Sequence, residues 1–398
     1  MDRVQWSELP TELLAATAKR LSTRIDILRF RSVCRSWRYS VSPNFLPLQL
    51  PFPAIPRDSI RETIGGVFSL YETTVYLLQP ADSPHGHGAS SKGGWLIKVE
   101  EQSPDHKVLL LNPLSRTRIK SSPLATFPAV LNLSDFRFSE LGKDYILRYS
   151  GYRPLTVSVH EFEELFIRKA ILAPSDSNPV SIATSHDYAV AAIYRSGKLG
   201  FFKPGDEGWI VLDDEPHRYE DVVHHHGQFI AVDRSGRAVV ADQSSFKASL
   251  VAHPIVDSGV RKQLVNSLGE LFLVDRYLDR GPVVFTKEEE IEWCNTDQGG
   301  SDIAARFKVY KLDFSEQKWV EVKSLGDRVF MVGDSHSFSF SSCDFSGYKR
   351  NSIYFTHEYL CLYEEENGGL SSYDVGVFNL EDGSVRVLAS FPDYSQLF

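Results

Sequence analysis

Sulfur is scarce in this chain, with 4 cysteines and 2 methionines in 398 residues. Cys34, Cys294, Cys343 and Cys361 are too few and too scattered for a disulfide framework, and no C-x-x-C pair points to zinc. No apolar run approaches the roughly 18 residues that cross a bilayer. The opening MDRVQWSELPTELLAATAKR has no apolar stretch of the kind a secretory signal carries, so an intracellular protein of nucleus or cytoplasm is expected. Positive charge is also short. The net charge of −9 argues against a general nucleic-acid binder. A Walker loop, G-x-G-x-x-G, H-E-x-x-H and G-x-S-x-G are all missing, so neither catalysis nor a cofactor is expected.

What is present describes a folded chain. Apolar residues make up 42% and charged residues 24%, a globular balance. Aromatics reach 12%, with 17 Tyr and 25 Phe, which favours strands because rings pack well on a pleated, half-buried surface. A length of 398 residues exceeds one ordinary core and implies several domains or a repeat architecture.

Glycine and charge divide the chain. Residues 1–43 contain no glycine and hold eight bases against four acids, a net of +4 that leaves −13 for the remainder. Both properties change near Pro43, and the prolines at 43, 47, 51, 53 and 56 are too dense for a helix interior or a central strand. A short head, a linker and a large body follow from this.

The head reads as three short helices. Pro10 suits a first helical turn, and Leu9, Leu13, Leu14, Thr17 and Leu21 recur on one face. Ser22-Thr23 breaks that run, and Asp26 is placed to cap a second helix carrying Ile27, Leu28, Phe30 and Val33. Val33, Trp37 and Val41 at i, i+4 and i+8 predict a third. So many apolar residues on about 43 positions exceed what such a unit buries alone, so a partner is expected to cover part of the surface.

The order Trp6-Ser7-Glu8-Leu9-Pro10-Thr11-Glu12-Leu13-Leu14, then Arg20-Leu21, then Asp26-Ile27-Leu28-Arg29-Phe30-Arg31-Ser32-Val33-Cys34-Arg35-Ser36-Trp37-Arg38 resembles an F-box. That resemblance implies docking on the adaptor Skp1 and, through it, on a cullin and a RING subunit. It assigns Leu9, Pro10, Leu13, Leu14, Leu21, Ile27, Leu28, Val33, Cys34 and Trp37 to the Skp1 contact and the F-box core, with Cys34 an inert buried thiol. Thr17 stands where the family usually has isoleucine, a loss on the order of 1 kcal/mol of apolar contact. Skp1 is typically acidic, so the +4 head adds steering.

The body repeats one scheme of alternating run, polar turn and second run. Its examples are 108–111 with 116 onward, 156–162 with 165–172, 199–202 with 209–212, 229–232 with 237–240, 307–312 with 319–322, and 376–380 with 384–388. Six hairpins over about 340 residues fall in the propeller range. The expected blades are 60–121, 126–173, 179–215, 218–253, 260–325 and 327–392, with stacked β-sandwiches as the alternative. Tyr219 to Asp233, Leu268 to Tyr277 and Asn351 to Thr356 are similar to the plant DUF295 module. An F-box followed by that module resembles the SKIP23-like, kelch-related F-box proteins of plants.

Other features have plain readings. His224-His225-His226 on a strand point to alternate faces and do not converge on a metal. His85 and His87 lie in a Gly- and Ser-rich loop, and Lys287 to Glu292 and Glu364 to Glu366 read as solvated acidic loops. Asn132-Leu133-Ser134 is a glycosylation sequon that an intracellular chain does not use.

The expected fold is therefore an α+β multidomain chain. A three-helix F-box at 1–43 is followed by a proline-rich linker at 44–59, an all-β, six-bladed DUF295-like propeller at 60–392 and a tail at 393–398. The expected role is substrate receptor of a ubiquitin ligase. A Skp1-binding scaffold outside a ligase and a ligand-binding or enzymatic propeller are the alternatives.

Overall fold

Alternating runs closed by short polar turns build most of the chain beyond the head, and three turns share one device. The Asp233 carboxylate accepts from the Ser235 amide at 2.9 Å and hydroxyl at 2.6 Å, so the chain reverses with its turn amide satisfied. Asp313 repeats this with Ser315 (3.0 and 2.7 Å) and Asp382 with Ser384 (2.9 and 2.6 Å). The serine hydroxyls, helped by turn amides, hold both of these carboxyls below their ordinary range.

The computed structural model describes residues 6–18, 20–21, 24–41, 48–50, 66–81, 94–102, 107–114, 132–151, 167–174, 188–194, 196–212, 216–241, 247–278, 305–333, 336–345, 347–356 and 375–387. Among them no helix is long and apolar enough to cross a membrane. The loops holding His85, His87 and the two acidic runs lie outside these residues, as do 116–131 and 156–162.

The first sheet contains β1 (Leu48–Leu50), β2 (Gly66–Pro80), β3 (Trp95–Gln102), β4 (Lys107–Leu111), β5 (Phe136–Gly151), β6 (Ile167–Pro174), β7 (Tyr188–Tyr194), β8 (Leu199–Phe202) and β9 (Ile210–Val211). Its order is β4-β3-β2-β5-β6-β7-β8-β9, with β1 against β2. β5 and β6 meet at one pair among the described residues, Tyr145 with Ala170, so this sheet divides into two groups joined there. The second sheet is β10 (Tyr219–His225), β11 (Gln228–Asp233), β12 (Ala238–Ala241) and β13 (Ala248–Ala252). The third is β14 (Arg261–Ser267), β15 (Glu270–Leu278), β16 (Ala305–Asp313) and β17 (Lys318–Val322). The fourth joins β18 (Arg328–Val332), β19 (Ser337–Ser341), β20 (Ser352–Thr356), β21 (Val375–Asn379) and β22 (Val385–Val387) in the order β19-β18-β20-β21-β22.

The apolar faces of these groups meet around a circle. Leu70, Tyr145 and Leu147 of β2 and β5 pack on Leu172, Val190 and Phe202 of β6 to β8. Ala189, Ala191 and Phe201 then pack on Val222, Phe229 and Val239 of the second sheet. Ile230 and Val232 meet Leu264, Leu273 and Tyr310 of the third. Val274, Phe307 and Val309 meet Phe330, Ile353 and Phe378 of the fourth. Met331, Phe338 and Tyr354 close on Val75, Leu77 and Leu96 of the first. This cyclic stacking of antiparallel groups is a propeller-like architecture.

Four of the expected hairpins form among the described residues: β8 with β9, β11 with β12, β16 with β17 and β21 with β22. The last three expected blades correspond to the second, third and fourth sheets. The described strands nevertheless make five groups where six blades were expected. The reason is β5, which was expected to belong to a second blade and instead pairs along its length with β2, from Gly66–Gly151 to Pro80–Phe136. Within the expected linker, 48–50 form a short strand against β2, Leu48 opposite Leu70.

Buried charge lies among the strands where a core is usually apolar. Lys98 and Asp144 pair at 2.6 Å with both side chains 1% exposed, and Lys262 and Asp275 pair at 2.6 Å with both at 0%. Lys169 of β6 pairs with Asp221 of β10. Asp221 also accepts from the Val222 amide at 2.8 Å and from the Leu264 amide of β14 at 2.7 Å. One carboxylate therefore binds three strands. Beside this belt Lys169, Asp221, Gln263, His336 and Ser337 help line a polar cavity of ≈ 10 Å³, room for no more than one water.

His336 stands against Gly142, where an added Cβ would come within 2.5 Å of its Nε2. Burial depresses the imidazole from 6.5 to about 3; Asp144 opposes that shift and Lys98 and Lys169 reinforce it. The folded chain therefore keeps His336 neutral, while the unfolded chain protonates it below about pH 6.5. Stability is full above that pH and falls as pH drops toward 3. From pH 7 to 5 the loss expected from this group is about 1–2 kcal/mol. Urea unfolding of His336→Gln should show a flatter stability profile over that interval; an unchanged slope would remove His336 as its source.

Candidate docking site on the helical head

A 3₁₀ turn at Trp6–Glu8 leads into α1 (Thr11–Ala18), α2 (Arg24–Ser32) and α3 (Arg35–Ser40). The Pro10 carbonyl starts α1 by accepting from the Leu13 and Leu14 amides, both at 3.1 Å. Leu14, Ala18 and Phe30 form a small core, covered by Leu9, Leu21, Trp37 and Val41. Phe30 and Trp37 pack with ring centroids 4.4 Å apart, and the Trp37 indole donates to the Trp6 carbonyl at 2.9 Å. Arg31 donates to the Arg38 carbonyl at 3.0 Å and to the Val41 carbonyl, satisfying the end of α3.

Two local expectations change. α2 begins at Arg24, so Asp26 is not its cap; it lies in the first turn, where the helix dipole favours an acid, 3.6 Å from Arg29. Val33 does not continue one stripe with Trp37, because α2 stops at Ser32 and α3 starts at Arg35. Cys34 occupies the extended position before α3, and its free thiol is half-buried where a buried one was expected.

The ten residues assigned by the F-box resemblance thus separate into groups. Leu14 is buried, and Leu9, Leu21 and Trp37 pack around it. Ile27 and Cys34 are half-buried. Leu28 faces away from this core and joins a cluster with strands of the first sheet. Pro10 is exposed, and Leu13 and Val33 are each 56% exposed. Two aromatic side chains absent from that set join the open surface, Trp6 at 62% and Tyr39 at 84% exposure. Their signal in the sequence was only that large rings stand in a basic, polar setting. The open apolar residues give the head a surface that its own core does not use.

The three histidines do not simply alternate between faces: β10 ends at His225, His226 turns away at φ 46°, and the His225 and His226 rings pack with centroids 4.1 Å apart, each with a further partner of its own. His224 meets the Phe229 ring edge-on, His225 stacks on Phe314 and pairs its Nδ1 with Asn266 Oδ1 at 2.8 Å, and His226 Nε2 donates to the Gly269 carbonyl at 2.8 Å. Burial, the largest influence, lowers both His224 and His225 from their ordinary value.

Residues 6–46 match the F-box domain model, and residues 67–379 match the model described as KIB1-4 beta-propeller. The class is an F-box head joined to a β-propeller. The chain belongs to the family of F-box proteins that carry this propeller. It is 34% identical over 406 residues to F-box protein SKIP23 of Arabidopsis thaliana, covering 99% of this chain and 94% of that one. It is 30% identical over 409 residues to F-box protein At2g17036 of the same plant, covering 99% and 93%. A solved ACO/RPE65 chimera aligns at TM-score 0.32 and 11% identity over 84% of this chain and 82% of that one, too distant a likeness to bear on function.

Proposed function

We propose that the chain is the substrate-recognition subunit of a Skp1–cullin–F-box ubiquitin ligase. The head docks on a Skp1-type adaptor, which brings a cullin and a RING subunit, and the propeller holds the target protein. The observation that carries this reading is the F-box surface at Pro10, Leu13 and Val33, left open on a head joined to a propeller. Such a subunit needs no chemistry of its own. Holding a target lysine near a ubiquitin-loaded enzyme raises its effective concentration, and rigid sheets keep the binding loops in place.

Mixing the purified chain with a Skp1-type adaptor and a cullin tests this directly. Co-elution of all three on gel filtration is expected; no adaptor complex at about 10 μM would reject the reading. Thr17 supplies a graded test. It is exposed on α1, and its hydroxyl donates to the Leu13 carbonyl at 2.8 Å instead of presenting apolar surface. Thr17→Ile should tighten adaptor binding about fivefold, from one to two methylenes of added contact, read by calorimetric titration.

A further inference from the structure

One face of α2 serves neither the head core nor the open surface. Ile25 is buried, and with Leu28 it packs against Tyr76 and Leu78 of β2, Ile97 of β3 and Phe138 of β5. Arg29 donates to the carbonyls of Leu133 at 3.2 Å and Phe136 at 2.9 Å, and its guanidinium lies 5.7 Å from the Phe138 ring centroid. Ile25, Leu28 and Arg29 stand at i, i+3 and i+4, one stripe of the helix. A fork that grips two main-chain carbonyls while covering a ring is directional as well as attractive, which distinguishes it from a merely greasy contact.

We propose that α2 is an intramolecular docking helix, whose Ile25–Leu28–Arg29 stripe fixes the head on the first blade so that head and propeller move as one rigid body. The apolar surplus of the small head thereby finds two covers. The blade covers this stripe, and Pro10, Leu13 and Val33 remain open on other segments, so both surfaces can be occupied together. Arg29 is a positioning residue: it sets the angle at which a partner bound to the head faces whatever the propeller holds. That consequence rests on the adaptor reading; the contact itself does not.

The test uses the full chain with Arg29→Ala and, separately, Phe138→Ala, which leaves every head residue in place. Small-angle scattering, amide exchange over residues 24–32 and adaptor capture are read side by side. In both variants exchange across α2 is expected to accelerate about tenfold and the largest molecular dimension to grow, with adaptor capture unchanged. Native-like scattering and exchange in both variants would overturn the proposal. So would a several-fold gain in adaptor capture, which would make the contact an inhibitory cover. Because scattering and exchange need no adaptor, failed capture by the unaltered chain would sink only the ligase reading.

Discussion

Asp221→Ala is expected to lower the stability of the chain by about 3–5 kcal/mol, more than any surface change. Asp221 is buried, and its loss leaves the buried Lys169 ammonium without its carboxylate. The same change strips an acceptor from the Val222 amide and from the Leu264 amide, so β6, β10 and β14 lose one shared anchor. A buried charge left alone costs far more than the pair contributes net, because desolvation of the survivor is no longer offset. Asp221→Asn keeps acceptor oxygen for an amide while removing the charge, and should fall between wild type and alanine. Thermal unfolding checks both: the alanine variant should melt about 4–6 °C lower, and a drop of less than about 2 °C would mean that Lys169 finds another partner.

The belt to which Asp221 belongs was not legible in the sequence, and the reason is instructive. Asp221 and Lys169 lie 52 residues apart, on strands β10 and β6 that no local turn joins. Alternation identifies a strand and its inward side, but a charge at an inward position looks like a register error until its partner is known. Pairings closed by short turns were legible for the opposite reason. Phe229 to Val232 and Ala238 to Val240 are joined by an aspartate turn that fixes both register and partner locally. The pairing of β2 with β5 spans residues 66 to 151, with β3 and β4 between them among the described residues, and no local residue specifies it. Hence the hairpins emerged while the number of groups did not.

On the head, order and spacing identified the F-box but could not apportion its surface. Leu14 and Leu28 are both leucines on an apolar helical face; Leu14 is 1% exposed inside the head core, whereas Leu28 lies against the first sheet. Only the position of β2, β3 and β5 separates them. Arg29 looked like one more base in the run that gave the head its charge of +4, yet it spends its donors on two carbonyls of the propeller. A count of charges records the sign of a residue and not its geometry.

Leu13→Asp combined with Val33→Asp should weaken adaptor binding at least about 100-fold while leaving the fold intact. Both side chains are exposed, so neither change reaches Leu14 or Phe30, and the melting temperature should stay within about 2 °C. At a docked interface each truncation forfeits about 1.5–3 kcal/mol of apolar burial, and each new carboxylate adds the cost of its own desolvation. An acidic adaptor would further oppose the two added negative charges, making the defect partly relieved by salt. Val256→Asp, at a propeller side chain 91% exposed, is the matched control and should leave affinity unchanged. If the double variant binds within about threefold of wild type, Leu13 and Val33 are open for another reason and the adaptor face must be sought elsewhere on the head. If it loses binding and the control does not, the open surface of the F-box is the docking face, because only the surface chemistry at those two positions has changed.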